Sequence, residues 1–216
     1  MRIDSHHSFS ARYPLDHLES ILKRNRFEAS VLVCPPDWTP EQTVPSFVKA
    51  IVVDSGRLDL IGHPLVRGIQ HDFSSGEIPE WPSSVARLDV LHGLHLIPQI
   101  AARYPNLPIV IDHLGAPPSP AWLQDLERAA EIPQVYCKLS GLTAFEDPQP
   151  RVRGALSLFG PQRLMFGSGW PNTLPDHTWK ANLALFTQSI GAQTIEIREE
   201  LLGGAAARFY SIASVG

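Results

Sequence analysis

Histidine recurs at the ends of short apolar runs in this sequence. His6 follows the run that begins at Arg2, and His71, His92 and His113 each close a later run. Histidine suits proton transfer near neutral pH because its ordinary pKa lies close to neutrality, and its neutral ring binds metal ions. Each of these histidines, taken alone, is more often a hydrogen-bonded structural residue than a catalyst. On a fold that assembles the ends of the runs, they predict a catalytic or metal-binding site.

Other polar side chains lie in or beside the same runs. Lys138 and Ser140 end the seventh run, and Arg67 lies early in the fourth. A lysine or an arginine can pair with a substrate carboxylate, and the planar guanidinium matches that geometry best. A structural ion pair is an equal interpretation for Arg67. We therefore assign His6 and His113 as candidate catalytic residues. The candidate substrate-binding residues are Arg67, His71, His92, Lys138 and Ser140.

The elements that must position these residues are short β-type runs that alternate with helix-type runs. Several β-type runs are nearly all apolar, as in Val31-Leu32-Val33 and Ile109-Val110-Ile111. Strands that are buried on both faces have this composition, which is typical of parallel sheets. Eight such runs occur, at residues 2–4, 30–34, 50–54, 66–71, 88–92, 109–113, 135–140 and 164–168.

Apolar residues at helical spacing occupy most of the connections, as in Leu15–Arg24. A further helix is predicted to begin at Thr39, which has the residue type of an N-cap and is followed by Pro40. The connections after the third and fourth runs are too short for a full helix. The pattern predicts an α/β fold, a (β/α)8 TIM-type barrel that is shortened or distorted, with reduced third and fourth helices. A doubly wound open sheet is less favoured, because no G-x-G-x-x-G turn follows any run. In a barrel the histidines would meet at one mouth.

Composition narrows the class of protein. Of 216 residues, 44% are hydrophobic and 19% are charged, which excludes a disordered chain. A net charge of −4 without a basic run argues against a nucleic-acid partner. No apolar run approaches the ~18–20 residues of a membrane helix, and the first residues lack the apolar segment of a signal peptide. Two distant cysteines, Cys34 and Cys137, indicate a reducing compartment. We expect a cytoplasmic protein with residues 1–216 in a single domain.

Several motifs along the chain occur together in one known family. They are His6-His7 in the first run, Gln70-His71 in the fourth, Asp112-His113-Leu114-Gly115-Ala116-Pro117 in and after the sixth, Lys138-Leu139-Ser140-Gly141 in the seventh, Gly167-Ser168 at the eighth, and Leu202-Gly203-Gly204 near the end. Their order and spacing resemble the amidohydrolase superfamily. More narrowly, they are similar to the amidohydrolase-related branch that contains sugar lactonases and 2-pyrone-4,6-dicarboxylate lactonase. The resemblance implies an amidohydrolase-like barrel with a hydrolase site at its mouth.

Two positions depart from the motifs of that family. Members usually carry H-x-H on the first strand; here His6 fits the first histidine, and Ser8 stands at the second position. The eighth strand usually ends G-S-D-W-P, but here Gly169 stands in place of the aspartate that binds metal or activates water. The resemblance therefore implies no tightly held metal centre, because a catalytic zinc usually keeps three protein ligands. If Zn²⁺ or Mn²⁺ binds weakly, His6 and His113 are the ligands to expect.

Three functions stay open after these departures. The first is a lactonase-like hydrolase that acts on a lactone or carboxylic ester of a small sugar acid or a pyrone carboxylate, with His113 or His6 as its base. The second is a catalytically degenerate barrel, a pseudoenzyme that binds a small acid without turnover. The third is a decarboxylase or a hydratase. Each has a small-molecule carboxylate or lactone as its partner, and the formation of a homo-oligomer stays open.

Overall fold

The eight β-type runs form the strands of one parallel sheet. The structure, a computed structural model, describes residues 1–34 and 38–213. Within them, the strands pair in the order of the sequence. The first and last strands also approach each other, since the Ser5 hydroxyl donates to the Phe166 carbonyl over 2.6 Å and the Ser8 N–H donates to the Trp170 carbonyl over 2.7 Å. The strands are β1 (Ile3–His7), β2 (Ala29–Val33), β3 (Val48–Asp54), β4 (Val66–Asp72), β5 (Leu88–Leu91), β6 (Ile109–Ile111), β7 (Val135–Leu139) and β8 (Leu164–Phe166). The sheet is a nearly closed barrel, which confirms the predicted fold class.

Helices lie between and after most of the strands. After β3 and β4 the chain makes only the short turns Leu58–Leu60 and Phe73–Ser75, which confirms the predicted reduction of the third and fourth helices. In the described residues, no helix is both long and apolar enough to pass through a membrane. The helices are α1 (Leu15–Arg24), α2 (Ile97–Arg103), α3 (Trp122–Ala130), α4 (Pro148–Phe159), α5 (Trp179–Ile190), α6 (Ile195–Glu199) and α7 (Ala205–Tyr210).

The helix predicted to begin at Thr39 does not form in the described residues that precede β3. Residues 38–47 contain a turn instead, in which the Gln42 N–H donates to the Thr39 carbonyl over 3.0 Å. The prediction is wrong because Pro45 would lie in the second turn of that helix. A proline there lacks a backbone donor and clashes with the preceding turn.

The interior of the barrel is filled by apolar side chains from the strands and from the last helix. Arg87, which precedes β5, donates from Nε to the carbonyl of Phe209, so α7 lies at the amino-terminal ends of the strands. Closure of this end by α7 leaves the carboxyl-terminal end as the mouth. A larger apolar cluster packs the outer helices against the sheet. The interior cluster includes Ile3, Val31, Val52, Val110, Met165, Ala205, Ala206, Phe209 and Tyr210.

A bulge in β1 decides which of its two histidines faces the interior. Asp4 lies opposite Ser30 of β2 and His7 lies opposite Leu32, so three steps along β1 match two steps along β2. Such an extra residue is a β-bulge, which re-aims the side chains around it. His7 lies on the outer side with Ser30, whose hydroxyl is 2.8 Å from His7 Nε2. His6, inside the bulge, is turned towards the interior.

Candidate active site

His6 and His113 form the centre of the candidate site. Their ring centroids are 4.5 Å apart, and the ring planes meet at 63°. His6 is 5% exposed, whereas His113 is half-buried at the mouth. The Nδ1 atom of His113 lies 2.9 Å from the hydroxyl of Ser140, which directly follows β7. The structure therefore brings together His6 of β1, His113 after β6 and Ser140 after β7, and a fourth predicted residue, Lys138, lies beneath them.

The turn after β6 aims the His113 ring. His113 has a φ of 52° and Leu114 a φ of 55°, which is the left-handed region that residues other than glycine seldom adopt. The Trp122 Nε1–H donates to the Leu114 carbonyl over 2.8 Å and holds this turn. Strained backbone of this kind is concentrated at functional sites, where the surrounding structure maintains it. The turn therefore fixes the direction of the His113 ring through the backbone.

Burial keeps the His113 ring neutral. The pKa of His113 is lowered to about 3. Burial is the largest cause, and the neighbouring charges of His6 and Lys138 act in the same direction. The Asp112 carboxylate opposes this change but does not outweigh it. A neutral imidazole has one nitrogen with a lone pair and one with a hydrogen. At neutral pH the His113 ring is therefore uncharged and has one nitrogen that can accept a hydrogen bond, although the low pKa makes this nitrogen a weak base.

Beneath the two rings lies a buried cluster of charges around Lys138. The Lys138 Nζ atom is 2.5 Å from Asp89 Oδ2, 2.8 Å from Asp112 Oδ1 and 3.2 Å from His6 Nδ1. The Lys138 side chain is 0% exposed. Burial alone would lower the pKa of Lys138, but Asp112 and Asp89 outweigh it and raise that pKa. Lys138 is thus enclosed by the protein's own groups and does not face a substrate.

The two carboxylates of this cluster have further donors. Gln70 Nε2 donates to Asp112 Oδ2 over 2.7 Å, and the Tyr210 hydroxyl donates to Asp89 Oδ2 over 2.7 Å. Burial would raise the pKa of Asp112, but Lys138 and His6 hold it far below its ordinary value. The pKa of Asp89 is raised, because burial outweighs its ion pair with Lys138. Asp112 is therefore the more firmly ionised of the two.

The site predicted from the sequence does not include Asp89, Asp112, Gln70 or Tyr210. A signal for one of them exists in the sequence, since Asp89 lies inside an apolar strand. Charged residues are almost never fully buried unless they are paired. The sequence therefore allows the prediction that Asp89 in β5 and Lys138 in β7 form an ion pair.

The other histidines predicted for the site lie in different surroundings. His71 Nδ1 is 2.6 Å from the Ser55 hydroxyl, and its ring packs against Phe73 with centroids 4.5 Å apart. His92 follows β5, where its Nδ1 lies 2.9 Å from Asp72 Oδ1. Across residues 1–34 and 38–213, no hydrogen bond or ring contact joins either histidine to the His6–His113 pair. The charge of His92 nevertheless lowers the pKa of His113, so His92 lies within electrostatic range of the pair.

Arg67 lies at the opposite end of the barrel from the histidine pair. It is near the amino-terminal end of β4, where its carbonyl accepts a hydrogen bond from Arg87 Nη1 over 3.3 Å. That end is covered by α7. The structure therefore separates Arg67 from the other predicted substrate-binding residues.

Two glycines after β8 border the histidine pair in different ways. Gly169 donates its N–H to the His6 carbonyl over 2.8 Å and has a φ of 68°. A Cβ atom at Gly169 would meet only Thr173, at 3.5 Å, whereas a Cβ at Gly167 would lie 2.7 Å from His6 Cβ. Position 169 thus has room for a Cβ atom beside Thr173, whereas Gly167 leaves no room for one beside the His6 side chain.

Comparison with known proteins gives one family for nearly the whole chain. A model of the family described as "Amidohydrolase" matches residues 11–212. An L-fucono-1,5-lactonase of Burkholderia ambifaria is 38% identical over 131 residues, which is 52% of this chain and 44% of that protein. The L-fucono-1,5-lactonase of Burkholderia multivorans is 33% identical over 127 residues, with 48% and 43% covered. Each match spans less than half of the relative's length.

Solved structures agree with the fold. An amidohydrolase of Burkholderia multivorans with bound zinc superposes with a TM-score of 0.77 at 23% identity, over 99% of this chain and 100% of that chain. A Pseudomonas putida protein assigned as a 2-pyrone-4,6-dicarboxylic acid hydrolase gives a TM-score of 0.79 at 20% identity, over 99% and 98%. At these identities the likeness concerns the architecture of the chain.

The zinc of that relative raises the question of whether the residues of this chain fit a metal ion. The donors beneath the histidine pair are Asp89, Asp112 and His6, and the Lys138 ammonium lies among them. In the part of the chain that the structure describes, no group of three or more His, Cys, Asp or Glu side chains is arranged to hold a metal ion. Because the Lys138 ammonium lies between Asp89, Asp112 and His6, these donors do not fit a divalent cation in the same place.

Proposed function

Because the chain belongs to the amidohydrolase family, we propose that it is a hydrolase that opens a lactone or cleaves a carboxylic ester of a small sugar acid or a pyrone carboxylate. The observation that carries the proposal is the contact between a neutral His113 and His6 at the mouth of the barrel. The lactonase relatives support the choice of substrate class. Hydrolysis of an acyl bond needs a base for water and a donor for the developing oxyanion, and this pair supplies both.

His113 is the base in this proposal. When its Nδ1–H donates to Ser140, the lone pair on Nε2 is left for a water molecule at the mouth. The water loses a proton to Nε2 as its oxygen attacks the acyl carbon. The same proton then passes from His113 to the ring oxygen that leaves, so that the products are a carboxylic acid and an alcohol. A general base contributes about 10²–10⁴-fold, most when its pKa lies near the working pH, so with a pKa of about 3 we expect His113 to contribute at the lower end of this range.

His6 is the donor to the oxyanion. It lies beside His113 and is held from below by Lys138, whose Nζ is 3.2 Å from His6 Nδ1. An N–H directed at the developing negative charge is worth about 10²–10³-fold in mutated oxyanion holes. His6 and His113 thus have opposite tasks, although both are histidines.

The second candidate function is binding of a small acid without turnover. The observation that favours it is Gly169, because the resemblance places a carboxylate there and glycine offers no acid–base group. In that case the pocket would hold its ligand while water stays unactivated. Hydrolysis measured with the unmodified protein separates the two functions.

The test is a panel of sugar-acid lactones, with a 1,5-lactone of a deoxy sugar acid included, and pyrone carboxylates, followed by release of acid. We expect turnover by the wild type above the rate without protein. His177, which is exposed on the loop before α5, provides the control His177→Ala, and this variant should keep the wild-type rate. An inactive wild type that gains about 10²–10⁴-fold in Gly169→Asp would instead identify a degenerate site that lost its base.

A further inference from the structure

We propose that Lys138 is a built-in cation that takes the place of a metal ion beneath the histidine pair and sets the tautomer of His6, with the ring hydrogen on Nε2. One part of this proposal depends on the proposed function, namely that catalysis uses this tautomer of His6. The placement of the cation and of the hydrogen stands on the contacts of Lys138 alone.

The surroundings of Lys138 Nζ are those of a bound cation. An oxygen of Asp89, an oxygen of Asp112 and the Nδ1 atom of His6 all lie within 3.2 Å of it. The Lys138, Asp89 and Asp112 side chains are buried completely. Buried ions are stable only when partners compensate for the lost water, and here two carboxylates do so. Carboxylate oxygens and an imidazole nitrogen are also the donors that Zn²⁺ takes.

Two further side chains, Gln70 and Tyr210, hold the carboxylates of the cluster in place. Gln70 donates to Asp112 from β4, and Tyr210 donates to Asp89 from α7, each over 2.7 Å. The ring of Tyr210 also lies 5.6 Å from Lys138 Nζ, within the range of a cation–π contact. The ammonium is therefore enclosed on the side of α7 and is open to neither water nor substrate.

The ammonium determines which nitrogen of His6 carries the hydrogen. A lysine ammonium donates hydrogen bonds and accepts none, so the 3.2 Å contact between Nζ and His6 Nδ1 is a hydrogen bond only when Nδ1 is the acceptor. Asp112 Oδ1 is 3.4 Å from the same nitrogen and would favour a hydrogen on it. That separation exceeds the usual N–H···O range of about 2.7–3.2 Å, so the contact with Lys138 prevails. Nδ1 is the acceptor, and Nε2–H remains as the donor that the oxyanion needs.

A divalent metal cannot share this position with Lys138. Zinc ligands lie about 2.0–2.2 Å from the ion, and the ammonium already fills the space between the same donors. Removal of the lysine leaves Asp89, Asp112 and His6 around a space that a cation can enter. The lysine thus excludes a metal and also performs the local electrostatic task of one.

The first test uses the wild-type protein without substrate. Nitrogen NMR of ¹⁵N-histidine-labelled protein at neutral pH distinguishes a protonated ring nitrogen from a bare one, and His6→Asn identifies the His6 signals by their loss. We expect a protonated Nε2 and a bare Nδ1, unchanged when zinc is added. A hydrogen on Nδ1, or zinc binding that moves the His6 signals, overturns the proposal.

The second test compares Lys138→Met with Lys180→Met, a lysine on the exposed side of α5. In Lys138→Met, we expect the His6 hydrogen to move towards Nδ1, facing Asp112, and we expect calorimetry to show zinc binding that Lys180→Met lacks. An unchanged tautomer in folded Lys138→Met contradicts the proposal. Lys138→Arg keeps a cation and should keep the wild-type tautomer of His6. If Lys138→Met does not fold, the spectra of Lys138→Arg and of the wild type test the proposal. Both readouts are independent of turnover, so a failed lactone panel leaves them intact.

Discussion

At the scale of single residues, the neutrality of His113 links the stability of the protein to its chemistry. The ordinary pKa of histidine is 6.5 and that of folded His113 is about 3. Between these values the unfolded chain binds a proton that the folded protein does not. The free energy of unfolding therefore falls as the pH drops from 6.5 towards 3, and it is unaffected by this residue above 6.5.

His113→Gln should remove this contribution. For one proton the slope is at most about 1.4 kcal/mol per pH unit, and partial exposure of the ring reduces it. Urea denaturation at several pH values between 4 and 7 measures it, with His17→Gln on the exposed face of α1 as the control. We expect a shallower loss of stability towards acid pH in His113→Gln alone. Equal slopes in both variants would show that His113 titrates like an exposed histidine.

The sequence predicted some residues of the site and missed others for identifiable reasons. His6, His113 and Ser140 follow from their places at strand ends in a barrel. His92 also follows its strand in left-handed backbone, but its Nδ1 atom lies 2.9 Å from Asp72 Oδ1, and it acts on His113 only through its charge, which lowers the pKa of His113. Which charges inside strands face the interior depends on the register of the sheet, and a single sequence does not reveal the register.

At the scale of elements, the end of β8 and the bulge of β1 together position His6. The sequence predicts β1 only as residues 2–4, because the polar residues that follow interrupt the apolar run. The strand extends to His7, and the bulge places one histidine inside and one outside. Adjacent histidines give no indication of a bulge, so this part of the site required the structure.

Gly167 leaves the space that His6 occupies, and we expect Gly167→Ala to displace that ring. The new Cβ would lie 2.7 Å from His6 Cβ and 3.1 Å from Ser140 Cβ, and such contacts force a shift. A displacement near 1 Å can cost about 10²-fold in rate, so kcat/KM on the best lactone should fall by that order. Gly154→Ala is the matched control, because a Cβ there meets nothing within 4 Å. An active Gly167→Ala variant would mean that the position of His6 is unimportant.

At the scale of the whole molecule, α7 joins the strands by closing the amino-terminal end of the barrel. Phe209 and Tyr210 pack among side chains from strands all around the barrel, and Tyr210 also reaches Asp89 in the charge cluster. We therefore propose that residues 1–216 form one domain that unfolds as a unit. The eight-strand barrel itself followed from the sequence, because its apolar runs and short connections leave few other folds.

Phe209→Ala tests whether the protein unfolds as a single domain. Truncation of a buried phenylalanine costs about 3–5 kcal/mol, and each kcal/mol lowers the Tm of a domain of this size by roughly 2–4 °C. Far-ultraviolet circular dichroism and tryptophan fluorescence should show the same, lower Tm. Leu123→Ala, at an exposed position of α3, should leave the Tm nearly unchanged. Two separate transitions in either signal would argue against a single domain.

The central claim is that the His6–His113 pair performs hydrolysis, and the most direct test is the kcat/KM of His113→Gln on the best lactone of the panel. Glutamine keeps a polar side chain beside Ser140 but cannot act as a base. We expect kcat/KM to fall about 10²–10⁴-fold relative to the wild type, while circular dichroism shows that the fold is retained. A His113→Gln variant as active as the wild type would contradict the account and place the chemistry elsewhere in the barrel.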